Sequence, residues 1–333
     1  MFDADTILKS TAACQLLGIQ WPVMQAGMGQ VAHGALTGAV SAAGGLGVIG
    51  AGYMSADELR TEIAVVRALT GNPFGVDILF GKVETDDQGS ARYAQRVQDQ
   101  IDIVLDEQVP VLISGLGNPR GVIDAAHKRG IKVMSVVGNV RQAKRVVEYG
   151  VDAVIASGAE GGGHVGRVGT ISLVPQVVDA VDVPVIAGGG LADGRGLIAS
   201  LALGAAGMWL GTRFIVTDEA RGHDNYKLKI AEIDEEGTIV TKAHSGKPCR
   251  LIRNDFTSYW DGHAGEIKPY PQQLLEVGEP ATLLGRIDGD VDNGVLPAGQ
   301  SSGLITSIKG AGSVVEDIIA QARAVLEGLM PKA

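Results

Sequence analysis

Short apolar runs rich in Val and Ile recur along the chain, separated by longer stretches whose apolar residues fall at helical spacing. The runs are PVMQAG (22–27), LGVIGAG (46–52), PFGVDILF (73–80), VPVLISG (109–115), KVMSVVG (132–138), AVIASG (153–158), PVIAGGG (184–190) and AGMWLGTRFI (206–215). Being apolar on both faces, they suit parallel strands covered on each side. Between them lie amphipathic stretches such as SADELRTEIAVVRAL and NVRQAKRVVEYG, with Ser55 and Asn139 placed to cap the helices they precede. Eight strands alternating with helices predict an α/β fold of the (β/α)8 barrel type. A doubly wound open sheet would stop at five or six strands, with GxGxxG after the first and an acid ending the second. Here the first turn reads AGMGQV and no acid ends the second strand.

After residue 215 the texture changes. Residues 218–270 are more polar, with the run EIDEEG and the aromatic pair Tyr259 and Trp260, and residues 271–300 are rich in Pro and Gly. Ser313 to Leu329 reads as an amphipathic helix. The expected organisation is a barrel over 1–217, an inserted segment over 218–300 covering the mouth where the strands end, and a closing helix within 301–333. Residues 34–56 carry no charge and could pass for a membrane span, but seven glycines and a GGLG break favour a buried helix followed by a buried strand.

Composition narrows the function. A net charge of −10 argues against a general nucleic-acid binder. Cys14 and Cys249 are too few for a disulfide framework and lie in no CxxC, which suits reduced thiols in a cytoplasmic protein with no membrane association. Early acids and the lack of a long apolar run exclude a signal peptide. The 48 glycines, about twice the usual frequency, cluster at strand ends, where backbone must approach a ligand or turn sharply.

Barrel active sites form from the loops that follow the strands. Strand seven is followed by IAGGGLADGRG and strand eight by WLGTRF. Glycine-rich turns at these two places form the usual phosphate site of the fold: amides of Gly188, Gly189 and Gly190, a helix N-terminus, then Gly211 and Thr212 with its hydroxyl. The alternative is a pair of ordinary tight turns. Strand six is followed by SGAEGGGHVGRVGT, where His164 projects from a nest of glycines. An imidazole there suits general acid or base work, with a loop histidine bonded to a carbonyl as the plain alternative. His33, His127, His223, His244 and His263 lie in helical or polar surroundings and read as surface or structural. No metal-ligand spacing, paired carboxylates, GxSxG or cysteine nucleophile beside a histidine is visible, so no metal is expected. A proton-transfer residue beside a phosphate site points to a cofactor that carries the difficult chemistry.

The segments PVMQAGMG (22–29), AAGGLGVIGAG (42–52), PFGVDI (73–78), SGAEGGGHVG (157–166), PVIAGGGLADGRG (184–196) and GAAGMWLGTRF (204–214) resemble the nitronate monooxygenase family of FMN enzymes. A weaker match continues near PAGQSSGLI (297–305). That family is in turn similar to the FMN-dependent enoyl-acyl-carrier-protein reductases. The resemblance implies FMN with its phosphate at Gly189, Gly190, Gly211 and Thr212. It places the ring against Gly27 and Met28, with contacts from Asp77, Ser157 and Gly162, counts Trp209 and Leu210 among the cofactor-binding residues, and makes His164 the catalytic base. Two positions depart from the pattern: Asp77 stands where Asn is usual, and Ser157 where many members have Gln. Segment 230–300 is longer than in the small bacterial nitronate enzymes and resembles members suggested to act on bulky CoA thioesters.

Three functions follow. The first oxidises alkyl nitronates with O2 to carbonyl compounds and nitrite, without NAD(P)H. The second is an NAD(P)H-dependent FMN reductase of an enone, an enoyl thioester of CoA or acyl-carrier protein, or a quinone. The third is a binding protein without catalysis, against which His164 in its glycine nest speaks. The expected partners are these small molecules alone, with association as a homodimer left open.

Overall fold

The computed structural model describes residues 3–81, 84–85, 91–92 and 94–329. Residues 1, 2, 82, 83, 86–90 and 93 of the expected barrel segment and 330–333 of the closing segment lie outside these. Eight parallel strands form one sheet: β1 (Val23–Gln25), β2 (Gly47–Gly50), β3 (Phe74–Leu79), β4 (Val111–Leu116), β5 (Lys132–Val137), β6 (Ala153–Ser157), β7 (Val185–Gly188) and β8 (Gly207–Leu210). Each pairs with its sequence neighbour from β2 to β8, and β8 returns to β1 in the register Val23–Met208, Met24–Trp209, Gln25–Leu210. A parallel bridge between Met24 and Leu46 closes the ring, reinforced by the Gln25 side chain, which bonds both backbone groups of Val48 at 3.0 Å. The fold is the (β/α)8 barrel that eight two-sided apolar runs require.

The strands are shorter than the apolar runs. The eighth stops at Leu210, and residues Thr212–Ile215 form a single helical turn in place of the strand expected to reach 215. Ser55 and Asn139 do cap their helices, and the Glu58 carboxylate accepts in turn from the Ser55 amide. The barrel interior is filled by Met24, Val48, Ile113, Met134, Ile155 and Ile186. Helix Ala12–Leu17 adds Cys14 and Leu17 to that cluster and so closes the floor beneath the strands.

Helix Ala311–Leu329 packs between helices Gly194–Ala202 and Gly34–Ala42, taking the place of the eighth barrel helix. Its fit is set by Gly194, where a Cβ would lie 2.3 Å from the Ala322 nitrogen and 2.5 Å from the Ile318 carbonyl oxygen. Between Ile215 and this helix the chain folds into helices Asp224–Glu232, Asp255–Gly262 and Glu279–Arg286 and an antiparallel ribbon, Thr238–Thr241 with Cys249–Ile252. The ribbon pairs in turn with Gly163–His164 in the loop after β6, with Cys249 opposite His164. Tyr259 and Trp260 sit on the outer helix of this segment, edge to face at 5.5 Å. Tyr259 also stacks on His263 at 4.2 Å.

Gly194→Ala should lower the unfolding free energy by about 1–3 kcal/mol through overpacking. Gly71→Ala, with nothing within 4 Å of its new methyl, should stay within about 0.5 kcal/mol of the parent. Paired chemical-denaturation curves check this, and equal midpoints for both variants would remove the close helix crossing from the account.

Candidate active site

The mouth of the barrel encloses a cavity of about 250 Å³. Gly27 and Met28 reach it from the loop after β1, Asp77 from β3, and Ser157, Gly162 and His164 from the end of β6 and its loop. Gly189 and Gly190 follow β7, and Trp209, Gly211 and Thr212 come from β8 and the turn after it. Leu210 does not line it. Side chains alternate along a strand, so Trp209 faces in while Leu210 faces out, buried against Val23 and Phe214.

Asp77 is the most constrained of these groups. Hypothetical Cβ atoms on Gly27 and Gly115 would fall 2.3 Å from its Cβ and 2.4 Å from its Oδ1 respectively, so only glycine fits at either place. Its Oδ1 is buried without a hydrogen-bond partner. Burial pushes the carboxyl up to about 8, against a backbone bond from Gly115 that acts the other way. At neutral pH the group is therefore mostly a carboxylic acid and can donate a hydrogen bond, as the amide of an asparagine would.

The two glycine turns line the same cavity. Gly189 (φ 96°) and Gly190 (φ 72°) occupy the left-handed region. Thr212 Oγ1 accepts from the Gly299 amide at 2.9 Å, bringing the PAGQSSGLI segment into the site. The helix after β7 offers no open N-terminus, contrary to expectation, because the Asp193 carboxylate accepts from Arg195 and Gly196 amides at 3.0 and 3.3 Å. No side chain caps the short turn Thr212–Ile215.

His164 stands in the short strand paired with the ribbon. Its Nε2 lies 2.7 Å from Ser245 Oγ, and part of the ring is open to the cavity. Surrounding protein, then the positive charges of Lys247 and Arg286, hold its pKa down at about 4. The imidazole is neutral at pH 7. His244 belongs to this site and not to the surface: it is buried, its ring 5.6 Å from that of His164, with burial the main cause of a pKa near 3. A cysteine does lie beside a histidine, with Cys249 Sγ 3.7 Å from His244 Nδ1. Burial raises that thiol to about 12, so it is not a nucleophile at neutral pH. One ligating atom each from His164, His244 and Cys249 falls within 4.8 Å of the others, a cluster that the separation of 80 residues along the chain concealed.

Sequence reasoning also missed Tyr53, Tyr226, Arg286 and Ser301, all lining the cavity. Arg286 is buried and donates to the Gly29 carbonyl at 3.0 Å, tying the inserted segment to the loop after β1. Arg250 does the same for the loop after β6, with Nε and Nη2 donating to the Ala159 carbonyl at 3.1 and 3.0 Å. A lone arginine in a polar stretch gives no sign of which carbonyl it will meet.

A family model described as nitronate monooxygenase matches residues 10–321. The chain belongs to the nitronate monooxygenase family. It is 34% identical to a probable nitronate monooxygenase of Staphylococcus saprophyticus, over 95% of this chain and 99% of that one. It is 32% identical to the (3aS,4S,5R,7aS)-5-hydroxy-7a-methyl-1-oxo-octahydro-1H-indene-4-carboxyl-CoA dehydrogenase of Mycobacterium tuberculosis, over 94% and 96% of the two chains. Among solved structures, FabK from Thermotoga maritima superposes with a TM-score of 0.86 at 38% identity, covering 96% and 98%. This nitronate monooxygenase family member is thus an oxidoreductase, and among its described residues no helix is long and apolar enough to cross a membrane.

Asp77→Asn tests the protonation of the buried acid. Between pH 3.8 and about 8 the folded chain keeps a proton that the unfolded chain has lost, so this group costs stability as pH rises through that window. Asparagine carries no such cost. The variant should therefore gain on the parent by on the order of a few kcal/mol between pH 4 and 8, read from urea denaturation at both ends. A gap that does not change with pH would show Asp77 ionised in the fold.

Proposed function

We propose that the protein binds FMN and oxidises alkyl nitronates with O2 to carbonyl compounds and nitrite, with His164 as its base. The observation that carries this reading is the His164 ring at the cavity wall, fixed by Ser245 Oγ at 2.7 Å and kept uncharged by the surrounding protein and by Lys247 and Arg286. An imidazole that is unprotonated at neutral pH has a nitrogen free to accept a proton.

The residues of the cavity suit a flavin. The unpartnered Asp77 Oδ1 is a buried polar atom facing a group it could bond, and left-handed Gly189 and Gly190 leave space no side chain could share. Gly189, Gly190, Gly211 and Thr212 would hold the phosphate. Gly27, Met28, Trp209, Asp77, Ser157 and Gly162 would meet the ring, with Leu210 contributing backbone only. When bound, the flavin supplies the electron transfer that the chain's own groups cannot perform.

The chain itself orients substrate and moves the proton. Ser245 fixes the His164 ring through Nε2; in the tautomer with Nε2–H donating to Ser245 Oγ, Nδ1 is the nitrogen that takes the proton from the carbon next to a nitro group. The inserted segment covers the cavity and limits water at the reacting carbon.

A second reading, a flavin reductase or dehydrogenase of a thioester, draws support from the CoA-linked relative and from a cationic groove that adjoins His164. There NAD(P)H would reduce the flavin, and His164 would orient the substrate carbonyl.

Anaerobic addition of propionate 3-nitronate should bleach the flavin band, whereas NADH and NADPH should leave it yellow. Rapid bleaching by a pyridine nucleotide with indifference to nitronates would overturn the first reading in favour of the second. His164→Ala should cut turnover of neutral nitroalkanes by about 10²–10⁴-fold and that of preformed nitronates far less. For the parent, kcat/KM on the enzyme side should stay level from pH 8 to about 5 and fall as pH passes about 4.

A further inference from the structure

Beside the flavin cavity runs a second, larger groove of about 660 Å³. The two share Gly115, Leu116, Val136, Ser157 and His164 as common wall, so a ligand lying in the groove can end at the reacting histidine. The groove's charge is one-sided. Arg145 comes from helix Val140–Glu148 after β5, Arg167 from the loop after His164, and Lys247 from the turn of the inserted ribbon. Among the described residues no carboxylate lines it, in a chain with 38 acidic side chains against 28 Lys and Arg.

These cations have little else to do. Among the described residues none of the three makes an ion pair, and Arg145 and Arg167 are exposed. Lys247 is partly desolvated, with its Nζ 3.8 Å from the centre of the Tyr270 ring. Three like charges drawn from three separate elements repel one another unless an anion joins them. The guanidinium fork matches phosphate oxygens, and Asn118, Asn139 and Gln142 add polar groups along the same wall. Tyr149, Val146 and Val168 give the groove an apolar side that suits a flat base. Tyr149 is itself faced by the Arg120 guanidinium at 5.4 Å.

We propose that this groove anchors the nucleoside-phosphate handle of a reactant, holding it so that its reactive end reaches the flavin cavity past His164. The handle chemistry, a phosphorylated adenosine, is common to CoA thioesters and to NAD(P)H. The inference rests on the second reading of function, since a simple alkyl nitronate carries no such handle.

The test titrates the flavin-loaded enzyme by calorimetry with adenosine 3′,5′-bisphosphate, the CoA fragment, and adenosine 2′,5′-bisphosphate, the NADPH fragment. At least one should bind, more weakly as salt is raised. Arg145→Ala/Arg167→Ala together should weaken it by about tenfold or more. Arg129→Ala, at the opposite end of the barrel, should leave binding unchanged. A preference for the 3′,5′ isomer assigns the handle of a CoA thioester, and a preference for the 2′,5′ isomer that of NADPH. No heat with either at millimolar concentration, or binding that salt and the double variant leave unchanged, overturns the proposal. Calorimetry needs no turnover, so failure of the bleaching experiment and failure of the groove are separate results.

Discussion

The site depends on one stretch of backbone pairing: two residues of the loop after β6, Gly163 and His164, joined as a strand to Cys249 and Arg250 of the inserted ribbon. Glycine-rich loops are costly to order, because glycine loses more backbone freedom on folding than any other residue. Here the order comes from outside the loop. The ribbon supplies strand hydrogen bonds, the Arg250 guanidinium grips the Ala159 carbonyl, and Glu160 bonds the Thr170 amide at the start of the next helix. His164 is fixed in direction without being buried in a core.

The same pairing sets the electrostatics. By drawing His244, Ser245, Lys247 and Cys249 over the mouth, the insertion withdraws water from one side of His164 and adds a positive charge nearby. Both effects act against the imidazolium. At the opposite wall the barrel acts alone: burial between Gly27 and Gly115 keeps Asp77 protonated. A neutral base and a neutral acid thus face one cavity, each held uncharged mainly by desolvation.

The barrel was legible because its signal is periodic and repeated. Eight two-sided apolar runs leave little choice of fold, and the loops they carry then locate His164 and the glycine turns, whereas Asp77, inside β3, was indicated only by the family resemblance. What escaped notice came from contacts without periodicity. His244 and Cys249 lie in a polar stretch that no strand pattern marks, and they reach the site only because the ribbon pairs across the mouth. Leu210 was assigned by motif membership, but strand alternation turns its side chain away from its neighbour Trp209. The helix after β7 was expected to present an open N-terminus, and the Asp193 carboxylate instead fills it. The acid at position 77 looked like a mismatch for a ring contact, and burial makes it resemble the amide it replaces.

The position of helix Ala311–Leu329 bears on how the chain is made. It fills the gap between the first and seventh barrel helices, yet it follows the whole insertion in sequence. During synthesis the seam between β1 and β8 stays uncovered until helix Ala311–Leu329 has followed the whole insertion out of the ribosome. Contacts of such long sequence separation form late and leave apolar surface exposed meanwhile. For this chain, assembly is vulnerable at the seam, far from the groups that carry its chemistry.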